Sequence, residues 1–252
     1  MDRLAEDNPL NLDVDDQPEE ARETLTTEQR LIYDTVMDHY RTRSDEQLLL
    51  QVDGGGGTGK SYLINLLSAH LQAAAGARGT STPIWRAAPN GVAGNQISGT
   101  TLHSLLRLPI DNSFKELAPV DKRHLQQKLK NIKYLVIDEK SMLGLRQLWI
   151  DTRLREALPD RNDEFFGGLN ILYVGDFFQL PIVLQKPLFY DKEVRGVEMK
   201  GRNAYRQFRK TVLLKTVQRQ RGETQAGFRK ALEELRTLKV SVELSGALIP
   251  EG

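Results

Sequence analysis

The chain has 252 residues, 39% of them apolar and 27% charged, with no cysteine and a net charge of +1. A chain of this length buries a full core without staples, and the lack of cysteine excludes a disulfide framework, thiolate metal sites and a thiol nucleophile together. No apolar run approaches the roughly 20 residues that span a bilayer, so the reading is of a chain with no membrane partner.

The near-zero net charge hides an asymmetry. Residues 1–24 hold nine acids and two bases (net −7), so the other 228 residues carry +8. From Lys186 to Arg221 there are eleven Lys or Arg against three acids. An acidic tail before a basic body points to a partner bearing phosphates. Residues 1–24 also lack hydrophobic periodicity and carry Pro9 and Pro18, so disorder is expected there.

Thr26-Thr27-Glu28-Gln29 reads as a capping box, in which the Thr26 hydroxyl accepts from the Gln29 N–H and the Gln29 amide reaches back. Ile32, Tyr33, Val36, Met37 and Tyr40 follow at helical spacing. Leu48 to Val52 reads as a buried strand, and after the glycines Leu63, Leu66, Leu67 and Leu71 mark one face of a helix. Ile84–Ala88 is a second strand, Asp121–Asn131 is helical, and Tyr134–Ile137 is a strand ending in two acids. Leu169–Val174 is another strand, Thr211–Lys215 a fifth, and Thr224–Leu238 a last helix. Short apolar strands alternating with helices predict an α/β fold, a mostly parallel sheet with helices on both faces.

The stretch Gly54-Gly55-Gly56-Gly57-Thr58-Gly59-Lys60-Ser61 matches G-x-x-x-x-G-K-[ST], between a predicted strand and a predicted helix. Glycines allow the backbone to approach a polyphosphate closely, and successive N–H groups at a helix N-terminus form an anion nest. Lys60 is then suited to the β- and γ-phosphates and Ser61 to Mg²⁺, so ATP and Mg²⁺ are the expected cofactors. Asp138 and Glu139 end a strand, and ligands of open α/β sheets bind at the carboxyl ends of strands. Asp138 is suited to hold the cation and Glu139 to deprotonate an attacking water. The pair favours hydrolysis over phosphate transfer to a small substrate. Gln179 follows the next strand as a neutral group able to report a γ-phosphate, and Arg219 is a candidate arginine finger.

Taken in order, these residues resemble the Pif family of DNA helicases, in the RecD-like branch of superfamily one. Leu25 to Gln29 resembles its adenine-contacting segment, with Gln29 as the base reader. Ala88-Pro89-Asn90-Gly91-Val92-Ala93 and Gly99-Thr100-Thr101-Leu102-His103-Ser104 are similar to a segment that contacts single-stranded DNA. Asp138-Glu139-Lys140-Ser141-Met142 resembles the metal and base motif, Gly175-Asp176-Phe177-Phe178-Gln179-Leu180-Pro181 the motif coupling hydrolysis to DNA, and Val217-Gln218-Arg219-Gln220 the arginine motif. The resemblance implies a RecA-like P-loop ATPase lobe. Its activity would be ATP-dependent translocation on single-stranded DNA and unwinding at duplex junctions, in repair, recombination or telomere maintenance. It also implies an intracellular protein, nuclear or mitochondrial in a eukaryote.

The family has two such lobes. This chain resembles the first (25–210), with 211–252 as the opening strand and helix of a truncated second, and it is expected to bind ATP while unwinding poorly alone. Asn90 stands where Thr is usual, Lys140 where a small or apolar residue is usual, and Phe178 where a more polar one is. Asn90, Thr101, His103, Lys140 and the Lys186–Arg221 region are the candidate DNA contacts, whereas Tyr173, Phe177, Phe178 and Trp149 read as core. Two other readings stay open on the residues alone. One is a stand-alone P-loop ATPase or kinase indifferent to DNA. The other is a non-catalytic nucleic-acid-binding or protein-binding module.

Overall fold

The central strands among the described residues, Ile84–Ala88 and Tyr134–Ile137 above all, carry mostly apolar residues at successive positions, and a strand buried on both faces needs helices above and below it. The computed structural model, which describes residues 13–109, 114–145, 149–179, 182, 185–218 and 234, arranges them in that way. In chain order the elements are α1 (Thr27–Arg41), β1 (Leu49–Gly54), α2 (Lys60–Gly76), β2 (Ile84–Ala88), α3 (Gly91–Gln96), β3 (Thr100–Thr101) and α4 (Leu102–Leu106). There follow α5 (Pro119–Leu129), β4 (Tyr134–Ile137), α6 (Trp149–Ala157), β5 (Asn170–Gly175), α7 (Val197–Tyr205) and β6 (Lys210–Leu214).

The strands form one sheet in the order β3-β2-β4-β5-β1-β6, and every pairing is parallel. Alternate residues feed two cores. Leu50, Val52, Val136, Leu172 and Val174 pack with Ile32, Val36, Leu63 and Leu67 of α1 and α2. Ala87, Leu135, Ile137, Ile171 and Tyr173 pack on the other face with Leu105, Leu125, Ile150 and Leu154 of α4, α5 and α6. β2 and β4 are buried at every position, as central parallel strands require. The capping box at Thr26 is complete, with the Thr26 side chain accepting from Gln29 N and the Gln29 side chain accepting from Thr26 N. A cap of this kind is worth about 1 kcal/mol. No helix among the described residues is long and apolar enough to cross a membrane.

Three expectations are corrected. The acidic segment expected to be disordered over 1–24 has structure in its described part. Glu19–Thr24 form a 3-10 turn, Val14 N donates to Gln72 Oε1 and Gln72 Nε2 to Val14 O. The side chain of Gln72 on α2 satisfies backbone groups that sequence periodicity treats as solvent-bound. The strand expected over Thr211–Lys215 as the opening of a second lobe is β6 (Lys210–Leu214), an edge strand of the same sheet paired with β1 from Leu50↔Lys210 to Gly54↔Leu214. Leu214 is buried and Val212 packs against the α1–α2 core, so burial draws the strand to this sheet. Phe178, expected in the core, is 63% exposed, while Tyr173 is fully buried and Phe177 and Trp149 pack partly buried against the core. The helix expected over Thr224–Leu238 lies, apart from Glu234, outside the described residues, as does Arg219.

Candidate nucleotide site

The carboxyl end of β1 passes directly into the glycine loop, which turns into α2 at Lys60. Gly59 is the N-cap of α2 at φ +78, and Gly57 also has φ +78. A left-handed residue is what lets the loop fold back and aim its N–H groups inward, and only glycine does so without strain. Thr58 Oγ1 donates to Gly55 O at 2.9 Å and pins the turn. Lys60 Nζ donates to Gly54 O at 2.8 Å and Gly55 O at 3.1 Å, so its ammonium lies over the loop. Ser61 follows in the first turn of α2.

Gln29 ties this loop to α1. It is 2% exposed, accepts from Thr26 N through Oε1, and donates from Nε2 to Thr58 O at 2.9 Å. A Cβ at Gly59 would lie 2.6 Å from that same Nε2. From the other side, Gln218 N donates to Gly57 O at 2.8 Å, which sets the residue before Arg219 on the phosphate loop.

Two strands away, β4 delivers the acids. Asp138 N donates to Ala87 O at 2.9 Å, continuing the sheet, and its Oδ1 accepts from Glu139 N at 2.9 Å. Asp138 is 3% exposed, and burial pushes its carboxyl up to about 6. The Glu139 N–H opposes that rise, the Glu139 charge adds to it, and the nearby Lys60 charge opposes it. A buried carboxylate beside a second acid is a place where a divalent cation is electrostatically favourable. The residues present thus fit a nucleotide with Mg²⁺: a glycine loop with two left-handed residues, a lysine, a first-turn serine and a desolvated acid.

Glu139 has φ +54 and ψ +47, a left-handed conformation rare for a residue with a side chain. It begins the 3-10 turn Lys140–Met142. Lys140, expected among the candidate DNA contacts, lies inside the fold. It is fully buried, its Nζ lying 2.6 Å from Asp53 Oδ1 and 3.3 Å from Gln51 Oε1, and so it reaches no surface. β5 ends at Gly175 against this turn. Asp176 Oδ1 then accepts from Phe178 N at 3.0 Å and Asp176 O from Gln179 N at 3.1 Å, leaving the Gln179 side chain exposed.

The residues proposed for DNA lie at the same carboxyl edge, beyond β2 and β3. Asn90 caps α3, its Oδ1 accepting from Ala93 N at 2.9 Å and its Nδ2 donating to Met142 Sδ at 3.2 Å. Thr101 caps α4 by accepting from Ser104 N at 3.2 Å, and His103 sits half-buried in that helix. Asn90 thus does the capping that a threonine would do there. Within the basic region, Lys186 is paired with Glu198 at 2.8 Å. The Asp53–Lys140–Gln51 group escaped sequence reasoning. Its only signal was a glutamine inside an apolar strand and a lysine behind the acid pair.

A family model described as PIF1-like helicase matches residues 24–243. An ATP-dependent DNA helicase Pif1 from Psychrobacter sp. is 33% identical over 133 residues, covering 52% of this chain and 19% of the relative. Unliganded Pif1 from Bacteroides sp superposes with a TM-score of 0.59 at 28% identity, over 88% of this chain and 48% of that one. Bacteroides Pif1 in complex with ADP-AlF3 and ssDNA gives 0.58 at 26% identity, over 87% and 48%. The chain therefore spans about a fifth of that curated relative and about half of the solved chains.

Proposed function

The chain belongs to the PIF1-like helicase family, and on that premise we propose that it is the ATPase lobe of an ATP-dependent DNA helicase, coupling ATP hydrolysis to movement on single-stranded DNA. The observation that carries the proposal is the convergence, at one sheet edge, of a left-handed glycine loop with its lysine and the acid pair of β4, whose following residue Lys140 lies 2.6 Å from Asp53 at the end of β1. A Bacteroides relative solved with ADP-AlF3 and ssDNA supports both ligands for this site.

In this reading the loop amides and Lys60 bind the β- and γ-phosphates, and Gln29, the expected base reader, braces the loop through Thr58 O. Ser61 and Asp138 would hold Mg²⁺, which would supply positive charge to the phosphates. Glu139 accepts a proton from water as the water oxygen bonds to the γ-phosphorus and the bond from that phosphorus to the bridging oxygen breaks, leaving ADP and phosphate. Gln179 reports the γ-phosphate to the DNA side, and Arg219, next to the loop-bound Gln218, stabilises charge on the transferring group. Asn90, Thr101 and His103 meet single-stranded DNA at the ends of β2 and β3, with duplex junctions as the unwinding substrate. The setting is intracellular, nuclear or mitochondrial in a eukaryotic host.

The test is ATP turnover with and without single-stranded DNA. Turnover should rise with DNA, vanish in Lys60→Ala through lost nucleotide binding, and vanish in Glu139→Gln while nucleotide still binds. Turnover indifferent to DNA would favour a P-loop ATPase of another kind. Equal turnover in all three proteins would refute the site.

A further inference from the structure

Burying an ammonium is costly unless a charge and hydrogen-bond acceptors meet it, and a buried ion pair is weak evidence of stabilisation, because apolar packing does as well. Lys140 is therefore an odd occupant of a fully buried position. Its Nζ has an ionic partner in Asp53 at 2.6 Å, an acceptor in Gln51 Oε1 at 3.3 Å, and the Phe177 ring centroid at 4.5 Å. Gln51 Oε1 also accepts from Tyr205 OH at 2.9 Å. Asp176 and Lys60 are the other charges that act on the ammonium.

What these partners have in common is position. Gln51 and Asp53 are on β1, and Asp53 is separated from the first positive-φ glycine of the phosphate loop only by Gly54, Gly55 and Gly56. Lys140 directly follows Glu139. Phe177 lies two residues before Gln179. One ammonium thus touches the segments that feed all three parts of the nucleotide site. The contact between β5 and the turn is equally close: a Cβ at Gly175 would meet Lys140 N at 2.8 Å and Cγ at 3.0 Å.

Glu139 needs such a tie. Its left-handed backbone persists only where surroundings hold it. Its backbone heads a three-residue turn with two backbone bonds, Met142 N to Glu139 O at 2.9 Å and Leu143 N to Lys140 O at 3.1 Å, and its own N–H donates to Asp138 Oδ1 at 2.9 Å. The Lys140 stem runs inward from the next residue and is anchored at its far end on β1.

We infer that Lys140 is a positioning residue for ATP hydrolysis: by bonding Asp53 beneath the phosphate loop it holds the Glu139 turn in its left-handed form and sets the general base against the loop. The inference rests on the hydrolytic reading of the site. It assigns to Lys140 a role inside the fold instead of one on DNA.

The experiment compares Lys140→Met, Lys140→Met with Asp53→Asn, and Glu139→Gln in the full chain. Lys140→Met alone strands the Asp53 charge and should lower the melting temperature. The double variant strands no charge and should melt near the parent, yet its kcat should stay about a hundredfold down with the KM for ATP within about threefold, the signature of a misplaced group and not of lost binding. In the same double variant the ¹³Cα resonance of Glu139 should leave its left-handed position. Recovery of kcat together with stability, or an unmoved Glu139 resonance, would show that Lys140 merely neutralises Asp53 and would overturn the inference. A parent whose turnover Glu139→Gln does not change would remove the hydrolytic reading itself, and that failure is told apart because it is read from a different variant.

Discussion

Replacing Gly59 by alanine tests whether the phosphate loop is built as described. Two costs add at that position. The residue sits at φ +78, and an L-residue held in the left-handed region loses roughly 1–2 kcal/mol. The new Cβ would also lie 2.6 Å from Gln29 Nε2. That amide cannot swing aside freely, since Gln29 is 2% exposed with its oxygen on Thr26 N and its nitrogen on Thr58 O. Displacing it forfeits a hydrogen bond worth about 1 kcal/mol. Together Gly59→Ala should destabilise the chain by about 2–3 kcal/mol, and at a few degrees per kcal/mol for a chain of this size the melting temperature should fall by roughly 5–10 °C. Gly56→Ala is the control. Its Cβ would meet nothing within 4 Å and its φ is not positive, so stability should hold or rise by about 0.5 kcal/mol. Thermal unfolding by circular dichroism reads both. If the two variants melted together with the parent, the left-handed cap and the Gln29 strut would both be wrong.

Other outcomes follow from the same geometry. Asn90→Ala should cost about 1 kcal/mol of stability through the lost α3 cap, whereas Asn90→Thr should be nearly neutral, and chemical denaturation distinguishes them. Phe178→Ser should change stability by less than about 0.5 kcal/mol because the ring is exposed, while Tyr173→Ala, at 0% exposure, should lose about 3–5 kcal/mol. Binding to single-stranded DNA, followed by fluorescence anisotropy, should weaken steeply as salt rises, since phosphate contacts release counterions. A salt-independent constant would speak against backbone tracking.

Much of the site was legible because its chemistry is local. The phosphate loop needs particular residues at adjacent positions, so Gly54 to Ser61 announces itself without the fold. The acid pair was readable for a related reason: four apolar residues followed by Asp138 and Glu139 say both strand and strand end. Gln29 was legible only in part. Its place in the capping box is a three-residue pattern, but its bond to Thr58 O spans 29 residues, and nothing in the spacing foretells it.

The limits show at Lys140, Phe178 and β6. A lysine after an acid pair reads as solvent-facing, and only the convergence of β1 with the β4 turn gives it an acid and an amide to be buried against. Phe178 was misplaced because hydrophobicity reports a tendency to bury, not the direction in which a turn after β5 points a ring. For β6, the strand itself could be read from Thr211–Lys215, but its membership of the first sheet could not.

The chain's sequence by itself determined the local matters: the longer strands, the helices α1, α2 and α5, and where the glycine loop and the acid pair stand along the chain, whereas β3, α3, α4, α6 and α7 were not read from it. Those local matters depend on neighbours within a few residues, whose steric and hydrogen-bonding demands are written in order along the chain. Strand order, the seat of β6 and the buried partner of Lys140 were decided only by tertiary structure. Each is a pairing between residues distant in sequence, chosen by which apolar surfaces and which unpaired charge the whole fold must remove from water at once.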